Sequence, residues 1–332
     1  MNTRKPIRII TAGEIRQNYT MKQAINAMEH AFCLLSSGEA IVPLRYKTHH
    51  PDNDLLMLFK PAYVKKAKLA SVKFLTQREN RMIPGIPAIQ GVVLLMDAET
   101  GEILSMMDGE YLTALRTGAA SGLATRCFAR KDVQVMALFG CGAQGRTQLE
   151  AVVCERNIRK VIIFDKQKEA ADRFIMDMQE KFRIEIIYSE DTSCLKEADI
   201  ICTATNSTAP LFKKEELKAG VHINAIGSFQ PHMQELDPFL IMAARIFTDS
   251  TESCLKESGD IIIPIDQGLI GPDHLAGEIG DFCLKKIEGR VSESEITIFK
   301  SVGVAVQDLT VAVDIYYHSL NESFGVEFNL FE

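Results

Sequence analysis

The most informative residues of this 332-residue chain are three glycines at a fixed spacing and an acid that follows them. Gly140, Gly142 and Gly145 form the pattern G-x-G-x-x-G, and Asp165 lies about 20 residues further on. In this pattern the first glycine permits a tight turn, the second lets a pyrophosphate approach the backbone, and the third lets a helix pack closely on a strand. The helix N-terminus binds the phosphates, and the acid accepts hydrogen bonds from the ribose hydroxyls. The spacing therefore predicts a dinucleotide site.

The segments around these residues have the order of strand, turn, helix and strand that the pattern requires. An apolar run at 133–139 predicts a buried strand, 144–154 a helix, and 161–164 a second strand that ends at Asp165. Further strands are predicted at 184–188, 200–204, 222–226 and 245–248, with a crossover helix at 168–182. This alternation predicts an α/β fold with a doubly wound parallel sheet of the Rossmann type.

Basic residues outside this segment are candidates for substrate chemistry. Lys73 lies in an apolar, strand-like run at 70–76, where partial desolvation lowers the pKa of an ammonium and favours proton transfer. The sequence is equally consistent with a Lys73 side chain that points outward from the strand. Arg116 either holds a carboxylate with two parallel hydrogen bonds or bridges two domains, and Arg45 is a further candidate.

The segment before the glycine pattern has a different organisation. A helical face at 20–35 ends at Gly38, and strand-like runs follow at 55–59, 68–75, 91–97 and 103–108, with a hairpin turn at 98–101. These runs predict an α+β region with an antiparallel sheet. A helix rich in small residues at 111–129 and a C-terminal helix at 304–320 complete the pattern. We predict a discontinuous first domain, 1–128 and 304–332, with a Rossmann domain, 129–303, inserted in it.

Composition excludes several classes of function. The net charge of −7 and the lack of a Lys/Arg-rich tract argue against a nucleic-acid partner, and no apolar run is long enough to span a bilayer. The polar, basic start at 1–8 is not typical of a signal peptide. The eight cysteines form no C-x-x-C pair, which favours reduced thiols and a cytoplasmic protein. The seven histidines lack metal-ligand spacing, so we expect no metal site.

Eight segments of the chain together resemble the ornithine cyclodeaminase/mu-crystallin family of NAD(P)-dependent proteins. They are S-V-K at 71–73, G-I-P at 85–87, D-A-E-T-G at 97–101, M-D-G at 107–109, L-T-A-L-R-T-G-A-A-S at 112–121, the glycine loop with Gln144, I-N-A-I-G-S at 223–228 and K-S-V-G-V-A at 300–305. They run nearly end to end in the family's order, and the segment at 112–121 is highly specific. The resemblance implies a two-domain fold, with a Rossmann domain between the two parts of a dimerising domain, and a homodimer.

The resemblance also implies roles for individual residues. Arg45 and Arg116 resemble the residues that bind the substrate carboxylate, and Lys73 resembles the catalytic lysine beside the imine or amine. The cofactor-binding residues that the resemblance implies are Thr117, Gly140, Gly142, Ala143, Gln144, Gly145, Asp165, Thr205, Asn206, Ser228, Val302 and Gly303.

Ser228 marks a departure from one branch of that family. True cyclodeaminases carry a catalytic Asp just after the corresponding strand, where it assists loss of ammonia and ring closure. A serine cannot act as a carboxylate base, so cyclodeamination is disfavoured. Ser228 and the following segment at 234–237 resemble the branch that reduces imines, and we interpret Glu235 and Asp237 as a solvated helix start.

The sequence therefore predicts an enzyme that reduces a small cyclic imino acid, Δ1-pyrroline-2-carboxylate or Δ1-piperideine-2-carboxylate, to L-proline or L-pipecolate. Three alternatives stay open: oxidative deamination of a linear amino acid such as alanine, cyclodeamination of ornithine, and ligand binding without catalysis. Asp165 repels a 2′-phosphate and so favours NADH over NADPH. Lys166 and Lys168 weaken that preference, and use of either cofactor is consistent with the sequence.

Overall fold

The computed structural model describes residues 5–50, 52, 54–78, 83, 86, 87 and 89–330, and it divides into two compact units. Unit 1 consists of Met1–Arg116 and Val304–Glu332, and unit 2 of Thr117–Gly303. Gly85, which belongs to one of the family-like segments, lies outside the described residues. The roles assigned above to two domains stay predictions.

The strands and helices have the following bounds. In chain order the strands are β1 Ile7–Ile10, β2 Ala40–Ile41, β3 Tyr46–His50, β4 Leu55–Val64, β5 Leu69–Arg78, β6 Ile89–Asp97, β7 Ile103–Asp108, β8 Val135–Phe139, β9 Lys160–Phe164, β10 Glu185–Tyr188, β11 Ile200–Thr203, β12 His222–Ala225, β13 Arg245–Thr248, β14 Leu275–Glu278, β15 Thr297–Lys300 and β16 Val326–Phe328. The helices are α1 Ala12–Asn18, α2 Met21–Ser36, α3 Gly109–Phe128, α4 Ala143–Glu155, α5 Lys168–Phe182, α6 Pro238–Ala243, α7 Thr251–Glu257, α8 Gly259–Asp266, α9 Ile279–Cys283 and α10 Ala305–Asn321.

Among the described residues, eight strands form the sheet of unit 1. Its order is β16-β1-β7-β6-β5-β4-β2, and β3 also pairs with β4. The prediction of an antiparallel sheet is wrong at one place, since β1 and β7 are parallel. The strands β4 to β7 follow one another closely in the chain, so they alternate in direction. The strand β1 is followed by the helices α1 and α2, and this longer connection permits β1 to lie parallel to β7.

Helices cover one face of this sheet. The helix α2 begins with a capping box formed by Thr20 and Gln23 and ends just before Gly38, whose φ of 75° suits a glycine. The helix α10 packs against α2 and against β4, β5 and β6. Both helices match the predicted segments, because each has a long apolar face at a period of about 3.6 residues.

In unit 2, the described residues contain a second eight-stranded sheet, and all its strands are parallel. Its order is β10-β9-β8-β11-β12-β15-β13-β14. Successive residues of β8 face opposite sides, so that Met136 and Leu138 pack in one apolar cluster with α4 and α5, and Ala137 and Phe139 in another. The predicted doubly wound parallel sheet is confirmed.

Candidate active site

Lys73 lies on the buried face of the sheet of unit 1. In β5 the buried residues alternate as Leu69, Ser71, Lys73 and Leu75, so the Lys73 side chain points to the same side as its apolar neighbours. In the antiparallel register it stands opposite Lys60 of β4. The structure thus decides between the two sequence interpretations in favour of the inward-facing lysine.

The Lys73 ammonium contacts two side chains. Its Nζ donates to Asp308 Oδ1 at 2.7 Å and to Thr113 Oγ1 at 3.0 Å. The side chains of Lys73 and Asp308 are 0% and 1% exposed, so this is a fully buried ion pair. Thr113 Oγ1 in turn donates its hydrogen to the carbonyl oxygen of Gly109. The lone pairs of Thr113 Oγ1 are therefore directed toward Lys73.

Arg116 shares the same carboxylate. Its Nε donates to Asp308 Oδ1 at 3.0 Å, and its Nη1 donates to Gln307 Oε1 at 3.2 Å. Asp308 and Gln307 stand in the first turn of α10, whereas Lys73 and Arg116 come from β5 and α3. The candidate site of unit 1 is therefore built from two parts of the chain that lie at least 191 residues apart.

Arg45 belongs to the same group of charges. It directly precedes β3, and its charge lowers the pKa of both Lys60 and Lys73. Burial is the main cause of the depressed pKa of Lys60, followed by the charges of Arg45 and Lys73. The structure thus brings the three predicted residues Lys73, Arg116 and Arg45 together.

The electrostatics of this group place the Lys73 pKa near neutrality. Burial lowers it, the Asp308 carboxylate opposes that effect, and the result is a pKa of about 7. Burial alone would raise the pKa of Asp308, but Lys73 and Arg116 outweigh it and hold this pKa at about 2. An ionised carboxylate therefore supports a lysine that gains and loses a proton in the neutral range.

Sequence reasoning missed four contributors to this site: Asp308, Gln307, Lys60 and Thr113. The family-like segment at 300–305 stops three residues before Asp308. One signal was available, since Gln307 and Asp308 are adjacent polar residues in the mostly apolar first half of the helix. Such a pair in the first turn of a buried helix needs partners for its polar atoms.

Unit 2 holds the predicted glycine loop between β8 and α4. A Cβ on Gly140 would lie 2.5 Å from Ala204 O, and a Cβ on Gly145 would lie 2.0 Å from Gly140 O. Both positions therefore require glycine. Around Gly142 there is open space, and it caps α4 without a side-chain hydrogen bond. Ala143 and Gln144 form the first turn of α4, and the free N–H groups there suit a phosphate.

A cavity of about 900 Å³ opens beside this loop. The predicted residues Gly140, Gly142, Asp165, Thr205 and Asn206 line it. Its size is within the range of ligand sites, and it lies at the carboxyl ends of β8, β9 and β11, where open parallel sheets bind nucleotides. The residues present fit a bound dinucleotide.

Asp165 directly follows β9 beside the loop, as the pattern requires. Its Oδ2 accepts from Cys141 N at 2.8 Å, and its Oδ1 accepts from Gln167 N at 2.9 Å. These bonds fix the carboxylate between the loop and the start of α5. Each oxygen retains a further lone pair for a ribose hydroxyl.

Glu235 corrects the interpretation of a solvated helix start. It is fully buried, and its carboxylate accepts from Thr203 Oγ1 and from Thr205 Oγ1, each at 2.7 Å. It also accepts from Thr205 N at 2.7 Å and from Gly227 N at 2.8 Å. Burial, and then the charge of Asp260, raise the pKa of Glu235. These four hydrogen bonds stabilise the Glu235 carboxylate in its buried position. They also connect Glu235 to the loops that follow β11 and β12.

The remaining predicted cofactor residues lie elsewhere in unit 2. Within the described part of the chain, the lining of the cavity does not include Thr117, Ser228, Val302 or Gly303. Ser228 Oγ donates to the carbonyl oxygen of Met233 at 2.8 Å, and Asp249 Oδ2 accepts from the backbone N–H groups of Val302 and Gly303. Their cofactor roles stay predictions.

Asp237 fits its predicted place at a helix start. It caps α6 by accepting from Phe239 N, and it is half-buried.

Across the described ranges, no group of three or more His, Cys, Asp or Glu side chains is placed to hold a metal ion. No helix in the described part of the chain is long and apolar enough to cross a membrane.

Comparison with known proteins shows the family of the chain. The model of the ornithine cyclodeaminase/mu-crystallin family matches residues 7–323. The chain belongs to this family. A Δ1-pyrroline-2-carboxylate reductase from Bacillus cereus is 36% identical over 319 residues, which are 96% of this chain and 98% of the relative.

Two solved structures are similar to this chain over nearly its whole length. The Thermococcus litoralis Δ1-pyrroline-2-carboxylate reductase, in complex with NADH and L-proline, has a TM-score of 0.93 and 34% identity, covering 97% of this chain and 100% of that one. An archaeal alanine dehydrogenase dimer with bound NAD has a TM-score of 0.91 and 33% identity, covering 98% and 99%. Together with the complete glycine loop and the buried Lys73, these full-length similarities identify the chain as an oxidoreductase of this family.

Proposed function

We propose that this protein is an NAD(H)-dependent reductase that converts a small cyclic imino acid, such as Δ1-pyrroline-2-carboxylate, to the L-amino acid. The observation that carries the proposal is the buried Lys73, held by Asp308 and Thr113 with a pKa of about 7. An imine accepts a hydride well only when its nitrogen is protonated. A lysine that exchanges a proton at neutral pH supplies that requirement.

The residues of unit 1 divide the work on the substrate. Arg116 and Arg45 hold the substrate carboxylate through charge-assisted hydrogen bonds. Lys73 Nζ then gives its proton to the imine nitrogen, so that one N–H bond forms as another breaks, and Lys73 regains a proton from solvent. The nicotinamide, when bound, supplies the hydride that reduces the substrate carbon next to the carboxylate.

The cofactor is held by unit 2 in this proposal. The glycine loop and the first turn of α4 bind the pyrophosphate, and Asp165 binds the adenosine ribose. The Asp165 carboxylate, fixed by two backbone N–H groups, favours NADH, because a 2′-phosphate would meet its negative charge. Lys166 also lines the cavity, which supports a residual use of NADPH.

A second candidate is oxidative deamination of a linear amino acid such as alanine. The similarity to the archaeal alanine dehydrogenase supports it, and the same Lys73 and Arg116 would serve. Cyclodeamination has less support, because position 228 carries a serine, which cannot act as a carboxylate base and whose hydroxyl is already bonded to Met233 O and Asp260 N. Ligand binding without catalysis has less support still, since both the glycine loop and Lys73 are retained.

The protein is a homodimer in this proposal, which the dimer of the similar archaeal alanine dehydrogenase supports. Its partners are its own second copy and the small-molecule substrate.

The test is turnover with defined substrates. Purified protein is mixed with NADH or NADPH and with Δ1-pyrroline-2-carboxylate or Δ1-piperideine-2-carboxylate, while NADH absorbance is followed and the amino acid product is identified. We expect NADH oxidation with formation of L-proline or L-pipecolate, faster with NADH than with NADPH. Release of ammonia from L-ornithine, with no reduction of either imine, would show that the protein is a cyclodeaminase instead.

A further inference from the structure

The two carboxylate oxygens of Asp308 have different environments. Oδ1 accepts hydrogen bonds from both Lys73 Nζ and Arg116 Nε. Oδ2 is buried and has no hydrogen-bond partner among the described residues. A buried polar atom without a partner is costly, and in native structures it usually marks a position that a ligand or water fills.

The chemistry of that missing partner is restricted. Lys73 and Arg116 keep Asp308 ionised, so Oδ2 is only an acceptor and requires a donor. A protonated imine or amine nitrogen offers an N–H donor. The carbonyl oxygen of a 2-oxo acid offers none and would be repelled by the carboxylate.

A neighbouring residue adds a complementary feature. Gln307 Oε1 accepts from Arg116 Nη1 and from Val304 N, but its Nε2, a donor, is buried without a partner among the described residues. The first turn of α10 therefore carries one unused acceptor and one unused donor beside the Arg116 guanidinium. An amino or imino acid has the matching pair, an N–H donor and a carboxylate acceptor.

We propose that Asp308 is a catalytic residue whose Oδ2 accepts a hydrogen bond from the N–H group of the substrate, while its Oδ1 holds Lys73 in place. Asp308 then sets specificity for nitrogen over oxygen at the reacting position. The inference rests on the proposed function in one respect, namely that the ligand is an imino or amino acid.

The experiment measures binding of matched ligands in the presence of NADH, with which an amino acid cannot react. L-Proline is compared by calorimetry with tetrahydrofuran-2-carboxylate, which replaces the ring N–H group by an ether oxygen. We expect wild-type protein to bind L-proline about tenfold to a hundredfold more tightly, the effect of a hydrogen bond to a charged group. In Asp308→Asn the amide oxygen must face the donors Lys73 and Arg116, which leaves an NH₂ donor in the place of Oδ2. That variant should lose most of the preference.

The matched control is Asp314→Asn on the same helix, an exposed acid that accepts from Tyr19 and touches none of the site residues named above. It should keep the wild-type preference. An unchanged preference in Asp308→Asn, or a wild-type protein without preference, would overturn the inference. The wild-type comparison needs no variant, so a poorly folding Asp308→Asn does not remove the test.

A second ligand pair separates this inference from the proposed function. L-Alanine and propionate differ in the amino group but lack a ring. Preference for L-alanine that depends on Asp308, without binding of L-proline, would support the role of Asp308 and contradict a cyclic substrate. Reduction of the cyclic imine with an unaltered ligand preference in Asp308→Asn would support the proposed function and contradict the role of Asp308.

Discussion

For single residues, the proposed proton transfer depends on opposing effects on the pKa of Lys73. Burial favours the neutral amine, the Asp308 carboxylate favours the ammonium, and the Arg116 charge again favours the amine. An exposed lysine titrates near 10.4 and holds its proton too firmly to exchange it readily at neutral pH. Asp308 is as necessary as burial, because without it the buried lysine would be deprotonated and could not supply a proton.

The pH dependence of imine reduction tests this balance. Lys73 donates a proton, so kcat/KM for the imine should fall as the pH rises above about 7. Asp308 raises the Lys73 pKa, so Asp308→Asn should move this fall to lower pH. Steady-state rates of the wild type and of Asp308→Asn, measured in the same buffers, give the shift of the pH profile. Titration of the free substrate affects both profiles equally and so does not contribute to this shift. Superimposable profiles would show that Lys73 is not the titrating group.

Removal of the Lys73 amine should act on chemistry and not on cofactor binding. We expect Lys73→Met to lower kcat for imine reduction by about 10²- to 10⁴-fold, the usual contribution of general acid catalysis. NADH affinity, measured by fluorescence titration, should stay at the wild-type value, because the glycine loop belongs to unit 2. The control is Lys66→Met, an exposed lysine paired with Glu39. Full kcat in Lys73→Met would refute the proposed proton donor.

At the scale of elements, sequence periodicity predicted much of the fold. The helices α2, α3, α4, α5 and α10 and the strands β8, β9 and β13 all lie within a few residues of their predicted bounds. Their apolar patterns are long or end at clear turn residues, so the secondary structure that the local sequence favours is also the one that packs in the fold. The strands β1, β2, β3, β14, β15 and β16 were missed. Of these, β2 has only two residues, and β3 and β16 have no buried residue, so these three show no apolar alternation.

The candidate site was only partly predictable for a related physical reason. Lys73, Arg116 and the glycine loop stand in segments with distinctive local sequence. Asp308 and Glu235 are acids whose function depends on donors far away in the chain, such as Lys73 for Asp308 and Thr203 for Glu235. A single sequence shows no such long-range pairing, and an isolated acid is most often exposed.

Glu235 carries a prediction about the loops of unit 2. It accepts hydrogen bonds from Thr205 N, Thr205 Oγ1 and Gly227 N, and Thr205 lines the cavity. Glu235→Gln places an amide NH₂ against these donors, so we expect NADH affinity to fall about tenfold or more. Fluorescence titration with NADH measures this effect.

The matched control for that variant is Glu215→Gln, an exposed acid in the same unit. It should bind NADH as the wild type does. If Glu235→Gln is folded, as judged by thermal denaturation, and still binds NADH with wild-type affinity, Glu235 does not position the cofactor loop.

At the scale of the whole molecule, unit 1 is assembled from both ends of the chain. Lys73 and Arg116 come from its first part, and Asp308 comes from α10 in its second part. The chain between them folds as the separate parallel sheet of unit 2. In the proposed function, substrate chemistry belongs to unit 1 and cofactor binding to unit 2.

The proposed homodimer makes a prediction about mass. One chain has a mass of 37.0 kDa, so sedimentation should give a particle of twice that value, about 74 kDa. The mass should not change when NADH is added. A species of one chain mass at micromolar concentration would contradict the proposed dimer.

The central claim is that Lys73, Arg116 and Asp308 serve the reduction of a cyclic imino acid. The most direct measurement compares kcat/KM, with NADH, for Δ1-pyrroline-2-carboxylate and for pyruvate with ammonia. We predict a much larger value for the cyclic imine, with L-proline as the product. Turnover of pyruvate and ammonia alone would contradict the claim and identify the protein as an amino-acid dehydrogenase.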